Sequence, residues 1–83
     1  MKKDNFKENK RSGSMDKYGI GDRIQDARNA KGWKQPELAE RMGVSTQTIV
    51  NIETGAKGTR LANFVKLCEI LEVSADYILF GKK

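Results

Sequence analysis

The hydrophobic residues in the middle of the chain follow helical spacing in two short runs. In the first run, Leu38, Ala39 and Met42 fall at i, i+1 and i+4 and therefore share one face of a helix. In the second run, Ile49 and Ile52 share a face in the same way. The pattern predicts two amphipathic helices, each with one side packed against the rest of the protein.

Local signals indicate where these two helices begin and end. Pro36 suits the first turn of a helix, where the missing N–H has no intrahelical partner, so the first helix is predicted to begin near Gln35. Gly43 can adopt the left-handed conformation that ends a helix. Ser45 can cap the second helix by accepting a hydrogen bond from a backbone N–H two or three residues later. Two helices joined by so short a turn have the arrangement of a helix-turn-helix.

The outer side of the second helix carries uncharged residues that are suited to reading bases. The side-chain amides of Gln47 and Asn51 can each pair with the N6/N7 edge of adenine, and the methyl groups of Thr46 and Val50 can pack on the methyl group of thymine. The alternative is that these residues only solvate a surface helix. The segments on either side of the two helices bear on that choice.

Before this pair of helices, Ile20, Ile24 and Ala27 recur at helical spacing after Gly19 and predict a first helix of about three turns that Gly32 ends. The polar residues between them are predicted to face solvent: Arg23, Gln25, Asp26 and Asn29. Trp33 lies between two amphipathic helices, which is typical of a residue at the edge of a hydrophobic core.

After the pair, two more helices are predicted. The first, capped by Thr59, carries an apolar stripe at helical spacing that should face the core. The stripe comprises Leu61, Phe64, Val65, Cys68 and Leu71. Ser74 caps a final short helix that Gly81 closes. This helix ends in Ile78, Leu79 and Phe80, which are more apolar than one small core needs. We therefore expect some of the three to contact a second copy of the protein.

These segments together resemble the phage-repressor-like (Cro/Xre-type) helix-turn-helix family over about residues 20–81. The matching motifs are QPELAERMGVS at residues 35–45, Ile49, Ile52-Glu53, Gly55 and VSADYILFG at residues 73–81. The resemblance implies an all-α fold, namely a five-helix lambda-repressor-like DNA-binding domain that would occupy residues 18–83.

The resemblance also implies roles for particular residues. The base-reading positions would be Thr46, Gln47, Val50 and Asn51. The phosphate contacts would be Gln35, Ser45, Thr48, Lys57 and Arg60. Arg28 and Glu53 would form a structural ion pair. The sequence departs from the family pattern at Thr59, where proline is common, and at Glu72, where glycine is common.

Composition is consistent with one small domain. A chain of 83 residues buries a limited core. It has no apolar run long enough to span a bilayer and no signal-peptide pattern, so we expect a soluble, cytoplasmic protein. The single cysteine, Cys68, lies among apolar residues and is expected to be a buried apolar residue, so a disulfide framework is excluded.

The net charge of +5 is unevenly distributed. Residues 1–15 contain five basic and two acidic residues, which gives +3 and leaves +2 for the rest of the chain. Residues 1–17 have no apolar periodicity and are predicted to be a disordered basic tail. The tail is either a remnant of cloning up to residue 14, with Met15 as the native start, or a natural basic arm that touches DNA.

The candidate chemistry argues against an enzyme. The chain has no histidine, no carboxylate pair at a metal-binding spacing and no phosphate-binding glycine loop, so no catalytic residue, cofactor or metal is expected. The sequence instead predicts a regulator of transcription that binds double-stranded DNA sequence-specifically. The family resemblance implies a repressor. We expect it to read the major groove of a roughly palindromic operator with the helix at about residues 46–53, as a homodimer. The alternative is a protein–protein interaction module that reuses the same fold.

Overall fold

The computed structural model describes residues 17–55 and 58–82. These residues form five α-helices and no strand. The helices are α1 (Lys17–Ala30), α2 (Gln35–Met42), α3 (Thr46–Thr54), α4 (Leu61–Leu71) and α5 (Ala75–Phe80). The predicted all-α, five-helix fold is therefore confirmed. The predicted tail lies outside the described residues except at Lys17, where α1 begins.

All five helices contribute to one hydrophobic core. Its buried members are Ile24, Ala27, Leu38, Ala39, Met42, Ile49, Ile52, Leu67, Leu71 and Ile78. Trp33 packs against this core and is only partly buried, as predicted. The guanidinium of Arg41 lies over the Trp33 ring, 4.2 Å from its centre, in a cation–π contact. In the described part of the chain, no helix is both long enough and apolar enough to cross a membrane.

The predicted caps of α2, α3 and α5 agree with the structure. Gly43 has φ 74° and ends α2, and the Ser45 hydroxyl accepts a hydrogen bond from the Thr48 backbone N–H at 3.1 Å and caps α3. Ser74 caps α5 in the same way, and Gly81 closes it with φ 75°. The turn between α2 and α3 is therefore only three residues long.

Helix α1 begins earlier than the sequence predicted and packs very closely on α3. It starts at Lys17 rather than after Gly19, so both Gly19 and Gly21 lie within it. A Cβ atom on Gly21 would lie 2.2 Å from the Glu53 carbonyl oxygen, a distance that real Cβ atoms do not reach. Gly21 is thus required by the close approach of the two helices, not by its backbone conformation.

The core-facing side of α4 differs from the predicted stripe. Leu61 is 77% exposed and Val65 is 48% exposed, whereas Leu67 and Leu71 are buried and Phe64 is partly buried. Helix α4 has apolar residues around much of its circumference, and packing against α2 and α5 selects the side that contains Leu67. The buried stripe is therefore rotated from the predicted one towards Leu67.

Both ends of α4 also depart from expectation. The N-cap residue is Arg60 rather than Thr59, and no side chain caps the helix. The Thr59 hydroxyl is buried and has no hydrogen-bond partner within the described residues. At the other end Glu72 adopts a left-handed conformation with φ 59°, which explains why the family pattern favours glycine there. Lys31 donates a hydrogen bond to the Glu72 carboxylate and lowers its pKa.

Helix α5 is attached to α1 by a residue that was predicted to face solvent. Arg23 donates from Nε to the Ile78 carbonyl oxygen at 2.8 Å and from Nη2 to the Leu79 carbonyl oxygen at 3.2 Å. These carbonyls belong to the last turn of α5, where a cation is favoured. Ile78 itself is 1% exposed, so of the three residues proposed for a dimer contact only Leu79 and Phe80 remain accessible.

Candidate nucleic-acid interface

The inner side of α3 holds this helix against α1 and α2. Ile49 and Ile52 are 1% and 6% exposed and pack into the core. Ser45 begins the helix with a side-chain cap, and Gly55 ends it in a left-handed conformation with φ 77°. Packing inside and caps at both ends therefore fix the direction in which the opposite side of α3 points.

A buried ion pair fixes the C-terminal end of α3. Arg28 contacts Glu53 through two parallel hydrogen bonds, Nε to Oε2 at 2.7 Å and Nη2 to Oε1 at 3.0 Å, and the two side chains are 8% and 2% exposed. Arg28 Nη1 also donates to the Trp33 carbonyl oxygen at 2.8 Å, and Gln35 Nε2 donates to Glu53 Oε1 at 3.0 Å. The ion pair that the family resemblance implied thus connects α1, the link after it, α2 and α3.

Two hydroxyl groups lie together at the N-terminal end of α3. Ser45 Oγ and Thr48 Oγ1 are 3.0 Å apart and hydrogen-bonded, and Ser45 is exposed. Backbone N–H groups and the positive end of the helix dipole point the same way, which favours an anion at this end. The predicted phosphate contacts Ser45 and Thr48 therefore occupy one small surface.

The predicted base-reading residues form the outer side of α3. Thr46 and Gln47 are exposed, and Val50 and Asn51 are half-buried. Gln47 Nε2 donates a hydrogen bond to Asn51 Oδ1 at 3.0 Å, so the two amides form a pair along the helix. The face offers amide donors and acceptors together with methyl groups, which are the groups that read base edges.

A shallow cleft of about 310 Å³ lies beside this face. Thr48 and Asn51 of α3, Thr59 and Arg60 of the following link, and Asn63 of α4 line it. Arg60 is exposed, so its guanidinium is available at the margin of the outer face. The structure therefore brings Arg60 next to α3. Lys57, the other basic residue predicted for this region, lies outside the described residues.

The sequence predictions missed three contributions to the way the helices are held together. Gly21 allows the close approach of α1, and an isolated glycine within a helical pattern is a signal that could have indicated it. Arg23 binds carbonyl groups of α5, for which the sequence gives no local signal. Gln35 was assigned only to phosphate, but its amide nitrogen is hydrogen-bonded to Glu53.

The remaining chemistry of the described residues is limited. They contain no group of three or more histidine, cysteine, aspartate or glutamate side chains that could hold a metal ion. Cys68 is a free, partly buried cysteine. Burial and, to a smaller extent, the neighbouring Glu69 carboxylate raise the pKa of its thiol.

Comparison with known proteins identifies relatives of similar sequence. The chain is 34% identical over 62 residues to the SPbeta prophage-derived uncharacterized HTH-type transcriptional regulator YonR of Bacillus subtilis, covering 75% of this chain and 57% of that protein. The chain spans about half the length of the curated relatives it matches.

Solved structures of similar fold include two that contain DNA. The P22 c2 repressor in complex with a synthetic operator has a TM-score of 0.72 and 30% identity, over 76% of this chain and 96% of that one. The biofilm regulator SinR in complex with DNA has a TM-score of 0.66 and 32% identity, over 71% and 95%. A helix-turn-helix family model matches residues 24–78. The chain belongs to the Cro/Xre-type helix-turn-helix family.

Proposed function

We propose that this protein binds double-stranded DNA sequence-specifically and regulates transcription as a repressor. The observation that carries the proposal is the outer side of α3, which presents amide and methyl groups to solvent while the ion pair and the core hold the opposite side. The relatives support the proposal, because YonR is named a transcriptional regulator and the P22 c2 repressor was solved with an operator.

In the proposed complex, α3 lies in the major groove with its N-terminal end deepest. Thr46, Gln47, Val50 and Asn51 contact base edges, which provides specificity. The residues assigned to phosphates flank this face and position the helix without reading sequence. They are Gln35, Ser45, Thr48 and Arg60, together with Lys57 by its position in the sequence. Gln35 holds Glu53 with its amide nitrogen, so its carbonyl oxygen and its second N–H are the groups left for other contacts.

A palindromic operator requires two copies of α3 about 34 Å apart, which a homodimer with two-fold symmetry provides. We propose that the end of α5 forms the dimer contact, because Phe80 is 36% exposed and Leu79 is only half-buried. The Phe80→Ser variant should weaken dimerisation in sedimentation experiments, and Leu61→Ser is the matched control, since Leu61 is also an exposed apolar residue. If only the Leu61→Ser variant lost the dimer, the dimer contact would be formed by α4 and not by α5.

Selection of binding sites from a random duplex library tests the proposed function. We expect enrichment of one roughly palindromic sequence whose half-sites are about one helical turn apart. The absence of any enriched sequence at low salt would overturn the proposal and would favour a protein partner for the same face.

A further inference from the structure

The hydrogen bond between the two amides on the outer side of α3 restricts how each can be used. Gln47 Nε2 and Asn51 Oδ1 are 3.0 Å apart, one helical turn from each other. Gln47 is exposed, whereas Asn51 is half-buried and forms part of the wall of the cleft with Thr48 and Arg60. Asn51 is therefore the more constrained partner, and it limits the rotamers that the longer Gln47 side chain can sample.

We infer that Asn51 is a positioning residue that sets which base Gln47 reads, and that the bonded pair selects adenine at the position of Gln47. The inference rests on the proposed function, because it concerns how the same face recognises DNA. It differs from the sequence prediction, in which each amide could pair with adenine independently.

The hydrogen-bonding capacity of Gln47 gives the expected base. Its amide has one acceptor oxygen and two N–H donors, and one donor is bound to Asn51. The remaining acceptor and donor match the N6–H and N7 groups that adenine presents in the major groove. Guanine presents two acceptors there, O6 and N7, so Gln47 Oε1 would face another acceptor. Adenine is therefore preferred over guanine while the pair is intact.

The hydrogen-bonding groups that remain on Asn51 differ from those that remain on Gln47. Its oxygen accepts from Gln47, and within the described residues neither of its own two N–H donors is hydrogen-bonded. Two donors allow Asn51 to match the acceptors O6 and N7 of guanine, or O4 of thymine. The second lone pair of its oxygen also leaves the donor–acceptor edge of adenine available. Asn51 can thus match a wider range of base edges than Gln47, although the two side chains have the same functional group.

Three variants separate positioning from direct contact. Gln47→Ala identifies the base position that Gln47 reads, as the position where preference is lost. Asn51→Asp keeps an acceptor for Gln47 but has no N–H donors of its own. Asn51→Leu is similar in size and can neither accept nor donate. Each is titrated against four duplexes that differ only at the Gln47 position, with unfolding in urea as the control for folding.

We expect the wild type to prefer adenine there by roughly five- to 150-fold. Asn51→Asp should keep that preference, because the carboxylate still accepts the hydrogen bond from Gln47 and its added negative charge weakens binding to all four duplexes alike. Asn51→Leu should reduce the preference at the Gln47 position to about threefold or less. An unchanged preference in Asn51→Leu would overturn the inference. No preference in the wild type at this position would also overturn the inference, whereas the proposed function fails only if the selection enriches no sequence at all.

A measurement without DNA supplies an independent readout. The side-chain amide group of Gln47 should be more ordered by NMR relaxation in the wild type and in Asn51→Asp than in Asn51→Leu. Equal order in all three proteins would show that Asn51 does not position Gln47, whatever the binding results.

Discussion

The two sides of α3 have opposite properties. The inner side is buried and contains Ile49, Ile52 and the carboxylate of Glu53, whose two oxygens receive hydrogen bonds from Arg28 and Gln35. The outer side contains the exposed Gln47, whose amide donates a hydrogen bond along the helix to Asn51. The inner side of this short helix thus serves packing, and the outer side is available for recognition. Substitutions on the inner side should change stability, and substitutions on the outer side should change recognition.

The largest expected effect is on the inner side. Glu53→Ala leaves the Arg28 guanidinium buried without its partner, so the free energy of unfolding should fall by about 3–5 kcal/mol. Urea unfolding measures the loss. The double variant Arg28→Met/Glu53→Leu is the control, because replacing both charges by apolar groups is often tolerated. A single variant within about 1 kcal/mol of the wild type would show that the ion pair does not hold α3.

The next effect concerns the close packing of α1 on α3. Gly21→Ala places a methyl group against the Glu53 carbonyl oxygen, so the helices must separate, and the expected loss is about 1–3 kcal/mol. Gly58→Ala is the matched control, because a Cβ atom there meets nothing within 4 Å. Thermal unfolding of the two variants compares them directly. Equal midpoints would contradict the proposed role of Gly21.

The smallest effect concerns charge beside the outer side. Arg60→Ala should weaken binding to selected and scrambled duplexes alike, and should lower the slope of log K against log salt by about one. Lys82→Ala removes the same charge beyond the end of α5, a helix that packs against α1 and α4, and should leave the slope unchanged. A loss confined to the selected duplex would indicate that Arg60 reads a base.

The sequence predicted most of the helix-turn-helix because its signals are local. A cap such as Ser45 or a terminator such as Gly43 acts through the backbone of its own turn, so a few residues suffice to locate a helix end. The outer side of α3 was predictable for the same reason, once Ile49 and Ile52 indicated which side is buried.

The failures have a different physical origin. Leu61 and Leu67 are equally apolar, and only the packing of α4 against its neighbours decides that Leu67 is buried and Leu61 exposed. Arg23 binds carbonyl groups 55 and 56 residues away along the chain, which no local pattern encodes. Gln47 and Asn51 are at positions i and i+4 of a helix, where side chains can contact each other, but this spacing alone does not show which amide donates the hydrogen bond.

Binding of the Gln47→Ala variant tests the central claim most directly, namely that the outer side of α3 reads bases. Affinities for the selected duplex and for a scrambled duplex are measured at one salt concentration. We predict a loss of roughly 1–3 kcal/mol on the selected duplex alone, with the free energy of unfolding unchanged. An equal loss on both duplexes would contradict the claim, because Gln47 would then contribute to affinity but not to sequence specificity.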